Sequence, residues 1–104
     1  MVEPGFLKHK NVLKTILNAK NNRRRELLEH VGNDVIKSIS EVALNVIKGI
    51  IPMSPREKNF LRGWRNQLKL LSNKSPSLRQ KRQVLLDHGN IVRLLLKSVL
   101  ELKD

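Results

Sequence analysis

The chain has 104 residues, of which 39% are hydrophobic, and a formal charge of +12 from 21 Lys plus Arg against 9 Asp plus Glu. That length suits a single core, and the apolar share excludes an obligately disordered basic tail. With no cysteine there is no disulfide framework, zinc-thiolate site or thiol nucleophile, and so large a positive charge calls for an acidic partner, nucleic acid or an anionic membrane surface above all.

Phe6, Phe60 and Trp64 are the only aromatic side chains, so the core is expected to be aliphatic, a composition that suits helices better than sheets. The opening MVEPGFLKHKNVLKTIL has no apolar run of the kind a secretory signal needs. No stretch approaches the roughly 18 apolar residues of a membrane-spanning helix. The expected setting is intracellular, nuclear or virion-associated, and not secreted.

A first helix is predicted over residues 6–20, with Phe6, Val12, Leu13, Ile16 and Leu17 as its partial apolar stripe. Asn22 is placed to cap a short second helix over Arg23 to Val31, burying Leu27, Leu28 and Val31. Gly32 is expected to end it in the left-handed conformation, with Asn33 restarting the chain. The third helix has the clearest period, since Val35, Ile36, Ile39, Val42, Ala43, Val46 and Ile47 recur at spacings of three and four, and Gly49 and Pro52 stop it.

Ser54-Pro55-Arg56-Glu57 forms a capping box with proline in the first helical position. It opens a fourth helix expected to bury Phe60, Leu61, Trp64, Leu68 and Leu71. After the Ser75-Pro76 break, Ser77 to Gln80 forms a second box and opens a short fifth helix, which Gly89 is expected to close. Asn90 then caps a sixth helix that is apolar nearly all round, with Ile91, Val92, Leu94, Leu95, Leu96, Val99 and Leu100. Such a helix must be buried by its own domain, by a second subunit or by lipid. Burial at home is the first expectation, a homodimer contact through Leu94, Leu95 and Val99 the second, and membrane association the third.

The phrase QKRQVLLDHGN at 80–90 nearly repeats RRRELLEHVGN at 23–33. Superposing His30 on His88 lays Leu27 and Leu28 on Leu85 and Leu86, Glu29 on Asp87 and Arg24 on Arg82. LKTILN at 13–18 then matches LKLLSN at 68–73 if the second linker is three residues longer. The expected fold is therefore all-α: a compact six-helix bundle in one domain, made of two long-short-long triplets at about 6–49 and 54–103 and packed through its third, fourth and sixth helices.

Enzymatic chemistry finds little footing. Glu29-His30 and Asp87-His88 are sequence neighbours that point to different sides of a helix, and neither histidine has a second one three or four residues away to share a metal. Each histidine is better placed to meet free carbonyls at a helix end. Ser54, Ser75 and Ser77 have the spacing of caps and turns, and no GxSxG or phosphate-cradling glycine loop is present. The reading is a non-enzyme with no cofactor, no metal and no small-molecule substrate.

The basic residues are distributed unevenly. From Arg56 to Arg82 nine cations face one acid, a net of +8 out of +12. On a continuous fourth helix Lys58, Arg62, Arg65 and Lys69 would form one row beside the apolar stripe, and like charges so spaced repel by a few tenths of a kcal/mol per pair. A polyanion would relieve that cost. These four, with Arg79, Lys81 and Arg82 of the fifth helix, are the candidate nucleic-acid-binding residues, and DNA is expected ahead of RNA. Trp64 falls in the apolar stripe and is expected to anchor the core instead of stacking on bases. The helix after Gly89 offers only Arg93, Lys97 and Lys103 among leucines, too few polar groups near its start for base reading. Two alternatives stand beside this: an adaptor that presents a basic face to an acidic protein, and a peripheral membrane protein acting through the last helix.

ALNVIKGIIPMSPREKNFL at 43–61, LKLLSNKSPSLRQKR at 68–82 and the following LLDHG resemble a family of short basic proteins encoded by Polinton and adintovirus-type elements, the adenovirus-like mobile elements and viruses of animals. The resemblance spans roughly residues 20–90. It implies a mobile-element or virion-associated role, such as condensing DNA. The chain departs from that family at Gly89-Asn90 and its leucine-rich helix, where members have two glycines and a hydrophobic tail, so a membrane-active tail is not carried over.

Overall fold

The computed structural model describes residues 9–49, 51 and 53–100. Phe6, Pro52 and Lys103, which figure in the predicted elements, lie outside them. Among the described residues there are seven helices and no strand: α1 (Lys10–Asn18), α2 (Asn21–His30), α3 (Asn33–Ile47), α4 (Pro55–Arg62), α5 (Arg65–Ser72), α6 (Leu78–Asp87) and α7 (Gly89–Leu100).

The seventh helix arises because the predicted fourth one is broken. Gly63 and Trp64 donate their N–H groups to the Phe60 and Leu61 carbonyls at 3.2 and 2.9 Å, three residues back, and regular helix resumes with Leu68 N–H to Trp64 O at 3.0 Å. Glycine is the weakest helix former after proline, by about 1 kcal/mol relative to alanine. The break turns the Trp64 ring onto His88, with ring centroids 4.9 Å apart. It also leaves Phe60, expected inside, 42% exposed, while Leu61, Leu68 and Leu71 are buried.

Several predicted ends need correcting. Gly32 has φ −69° and ψ 166°, an extended residue that precedes α3, so it is not the left-handed terminator expected. Asn22 is not a cap, because α2 already begins at Asn21 after Lys20. Gly89 opens α7 instead of closing α6, Asn90 lies within α7, and His88 at φ −130° makes the corner. Val12, assigned to the apolar stripe, is 39% exposed. Gly49 does stop α3 with a positive φ of 77°. Both capping boxes are formed: Ser54 N–H to Glu57 Oε1 at 2.9 Å with Glu57 N–H to Ser54 Oγ at 3.2 Å, and Ser77 N–H to Gln80 Oε1 at 2.9 Å with Gln80 N–H to Ser77 Oγ at 3.1 Å.

The packing is that of two interlocked triplets. α1 of the first lies on α7 of the second, and α5 of the second lies on α3 of the first. α3 meets α7 and α2 meets α6 between them, so exchanging the triplets reproduces the arrangement. Burial repeats with it: Leu13 and Ile16 of α1 correspond to Leu68 and Leu71 of α5, and Val35, Ile36, Ile39 and Ala43 of α3 correspond to Ile91, Val92, Leu95 and Val99 of α7. In the short helices the buried pairs are Arg24 with Leu28 and Lys81 with Leu85. The register is therefore one residue away from the His30 and His88 superposition: Leu28 matches Leu85, Arg24 matches Lys81, and the second linker is longer by two residues instead of three.

Packing accounts for the apolar C-terminal helix, since Ile91, Val92, Leu95 and Leu96 are fully buried. Leu95 and Val99, named for a homodimer contact, are enclosed by their own chain, and of that trio only Leu94 is partly exposed. No helix among the described residues is long and apolar enough to cross a membrane.

Candidate nucleic-acid interface

Of the seven predicted site residues the structure gathers four. Lys58 and Arg62 are exposed on α4, and Arg65 and Lys69 on α5. Although the helix between them is broken, all four line one groove of about 490 Å³, whose other walls are Val46, Ile47, Gly49, Ile51, Met53, Leu61 and Leu68. Leu61, the one buried residue of α4, lines the groove together with Val46 and Ile47 from the C-terminal end of α3.

Among the described residues no carboxylate lines the groove. Among the described residues none of the four cations has an acidic partner; the ion pairs Arg23 to Glu26 and Arg25 to Glu29 both lie on α2. Glu57, the nearest acid in sequence, is held by the Ser54 capping box. Two guanidinium forks and two ammonium groups thus border one concavity without neutralisation. Arginine can grip a phosphate or carboxylate through two parallel bonds, and lysine acts as a mobile point charge.

The three α6 candidates go elsewhere. Arg79 is exposed near the helix start and stands outside the groove lining. Lys81 is 8% exposed, with its stem on the inward face, and burial lowers its pKa. Arg82 is committed to the fold: Nη1 donates to the Leu28 and Val31 carbonyls at 2.7 Å each, and Nη2 donates to Asn33 Oδ1 at 3.1 Å. It takes up carbonyls that the C-terminal turn of α2 leaves free. Arg25 does the same in reverse, donating from Nη1 to the Leu86 carbonyl at 2.9 Å. Arg82 Nη1 approaches the Glu29 carbonyl at 3.5 Å, the position equivalent to Leu86, so the two arginines clasp α2 and α6 across the axis relating the triplets. Lys81 and Arg82 are accordingly removed from the phosphate-facing set.

Arg24 was missed as a structural residue. It is 4% exposed, and its guanidinium donates to the Ile16, Leu17 and Ala19 carbonyls at 3.1, 3.2 and 2.7 Å and to Asn21 Oδ1 at 3.0 Å, closing the end of α1. Burial, and then the charge of Arg93, hold its pKa below the usual arginine value. A signal was available in the sequence: Arg24 stands four residues before Leu28 on the face that must be buried. His30 is exposed in the last turn of α2, and His88 lies half-buried against Trp64. The groove's apolar floor was equally unforeseen.

No family model matches the chain, and no curated protein or solved structure is similar to it.

Proposed function

We propose that the chain binds nucleic acid through its backbone, DNA ahead of RNA, with little sequence preference. The observation that supports this best is the convergence of Lys58, Arg62, Arg65 and Lys69 on one groove with no carboxylate among its described lining residues. Arg79 supplies an outlying contact. Phosphates would replace the missing counter-charges and relieve the repulsion within each helical pair, Lys58 with Arg62 and Arg65 with Lys69. Sequence reading has little to work with, because α7 buries most of its side chains and turns only a few polar ones outward. Condensation of DNA in a virion or mobile element, the role implied by the resemblance to Polinton and adintovirus-type basic proteins, belongs to the same reading. It would place the chain with that DNA, in the nucleus or the particle.

The test is the affinity for unrelated duplexes as a function of salt, read by fluorescence anisotropy. Four or five phosphate contacts give a slope of log affinity on log salt of about −4. Arg62→Ala/Arg65→Ala is expected to flatten it by roughly 2 and to weaken all sequences alike. An unchanged slope, with circular dichroism showing both proteins folded, would remove the groove from the interface.

A further inference from the structure

Phosphate binding leaves half of the groove unexplained. Its cations border a floor of Val46, Ile47, Ile51, Met53, Leu61 and Leu68, which ion pairs with phosphate oxygens do not use. Ile47 is 48% exposed at that floor, the most exposed large hydrophobic side chain among the described residues.

We infer that the groove docks an acidic amphipathic helix of a partner protein. Charge complementarity selects the occupant, because an entering segment must bring apolar side chains for the floor and carboxylates for Lys58, Arg62, Arg65 and Lys69. Apolar anchors at i, i+3, i+4 and i+7 with glutamates on the flanks meet both needs, the arrangement by which helices seat in grooves. A strand-like ligand finds no open sheet edge among the described residues. A second copy of this chain would bring its own +12 charge to a basic rim. This inference goes beyond nucleic-acid binding and draws on the same four cations, so the two ligands exclude one another.

The probe is a synthetic helical peptide with leucines on one face and glutamates beside them, compared with a scrambled peptide of identical composition. Wild type is expected to bind the amphipathic peptide about tenfold more tightly than the scramble by fluorescence polarisation, the worth of burying one or two apolar groups. Ile47→Gln, at an exposed position and checked by circular dichroism, is expected to bring the two peptides level. Equal binding of both peptides by wild type overturns the inference without any variant. So does an Ile47→Gln protein that keeps the preference. Self-association of wild type that Ile47→Gln abolishes, with no peptide preference, assigns the groove to a second copy and overturns it as well. The salt titration of duplex DNA on wild type decides the nucleic-acid reading separately.

Discussion

Arg79 and Arg82 stand three residues apart on α6, and the structure gives them opposite tasks. Truncating Arg82 to alanine removes charged hydrogen bonds to the Leu28 and Val31 carbonyls and to Asn33 Oδ1. Bonds of this kind contribute about 1.5–3 kcal/mol, and the freed carbonyls regain water because the site is only half enclosed, so the whole set is worth about that much and not three times as much. For a domain of this size each kcal/mol moves the midpoint by about 4–8 °C, so Arg82→Ala is expected to melt about 6–24 °C lower. Arg79→Ala, at an exposed position, should stay within about 0.5 kcal/mol of wild type and flatten the DNA salt slope by about 0.9. Thermal melts followed by circular dichroism, with anisotropy titrations at a temperature where every variant is folded, measure both quantities. If Arg82→Ala melts with wild type and flattens the slope, the clasp between α2 and α6 is refuted and Arg82 returns to the phosphate-facing set.

Two further expectations follow from burial and backbone geometry. Burial lowers the Lys81 pKa, so its charged form costs the fold stability below the folded pKa, and that cost disappears as pH rises through it toward the ordinary lysine value. Lys81→Met should therefore melt above wild type at neutral pH, with a gain that narrows under alkaline conditions; a pH-independent difference between the two melting curves would contradict this. Gly32, extended with nothing within 4 Å of an added Cβ, should accept Gly32→Ser with a gain of a few tenths of a kcal/mol from the new cap. Gly49→Ala, at φ 77°, should lose about 1 kcal/mol. Urea denaturation of the pair distinguishes them, and a destabilised Gly32→Ser would mean that the turn before α3 is left-handed after all.

What the sequence disclosed was whatever local chemistry decides. The Ser54 and Ser77 boxes need partners three residues away, the period of α3 spans its whole length, and Gly49 is required by its own φ. The errors lie where distant residues cast the deciding vote. Trp64 and Phe60 read as one stripe because the spacing permits it, yet the ring of His88, 24 positions along the chain from Trp64, packs on Trp64 in the folded chain. Arg82 and Lys81 look as free as Arg79 until α2 and the core are packed against α6. Lys58, Arg62, Arg65 and Lys69 converge despite the break, because residues of α4 and of α5 border the same groove at Val46 and Ile47 of α3.

The repeat and the groove have different origins within the chain. α1, α2 and α3 correspond in packing and burial to α5, α6 and α7, so the paired triplets account for the core and for the Arg25 and Arg82 clasp. α4 has no counterpart. It belongs to the connection between the triplets, buries only Leu61, and carries Lys58 and Arg62. In α5 the cationic face repeats one in α1, since the positions equivalent to Arg65 and Lys69 are Lys10 and Lys14, also exposed and basic, but among the described residues no counterpart of α4 stands beside them. Two basic helix faces are therefore built by the symmetric part, and only one becomes a groove, because the connecting helix supplies a second wall. A ligand that needed charge alone could use either face. One that also needed an apolar floor could use only the α4–α5 side, which makes Lys10→Ala/Lys14→Ala the control against which any groove variant is read.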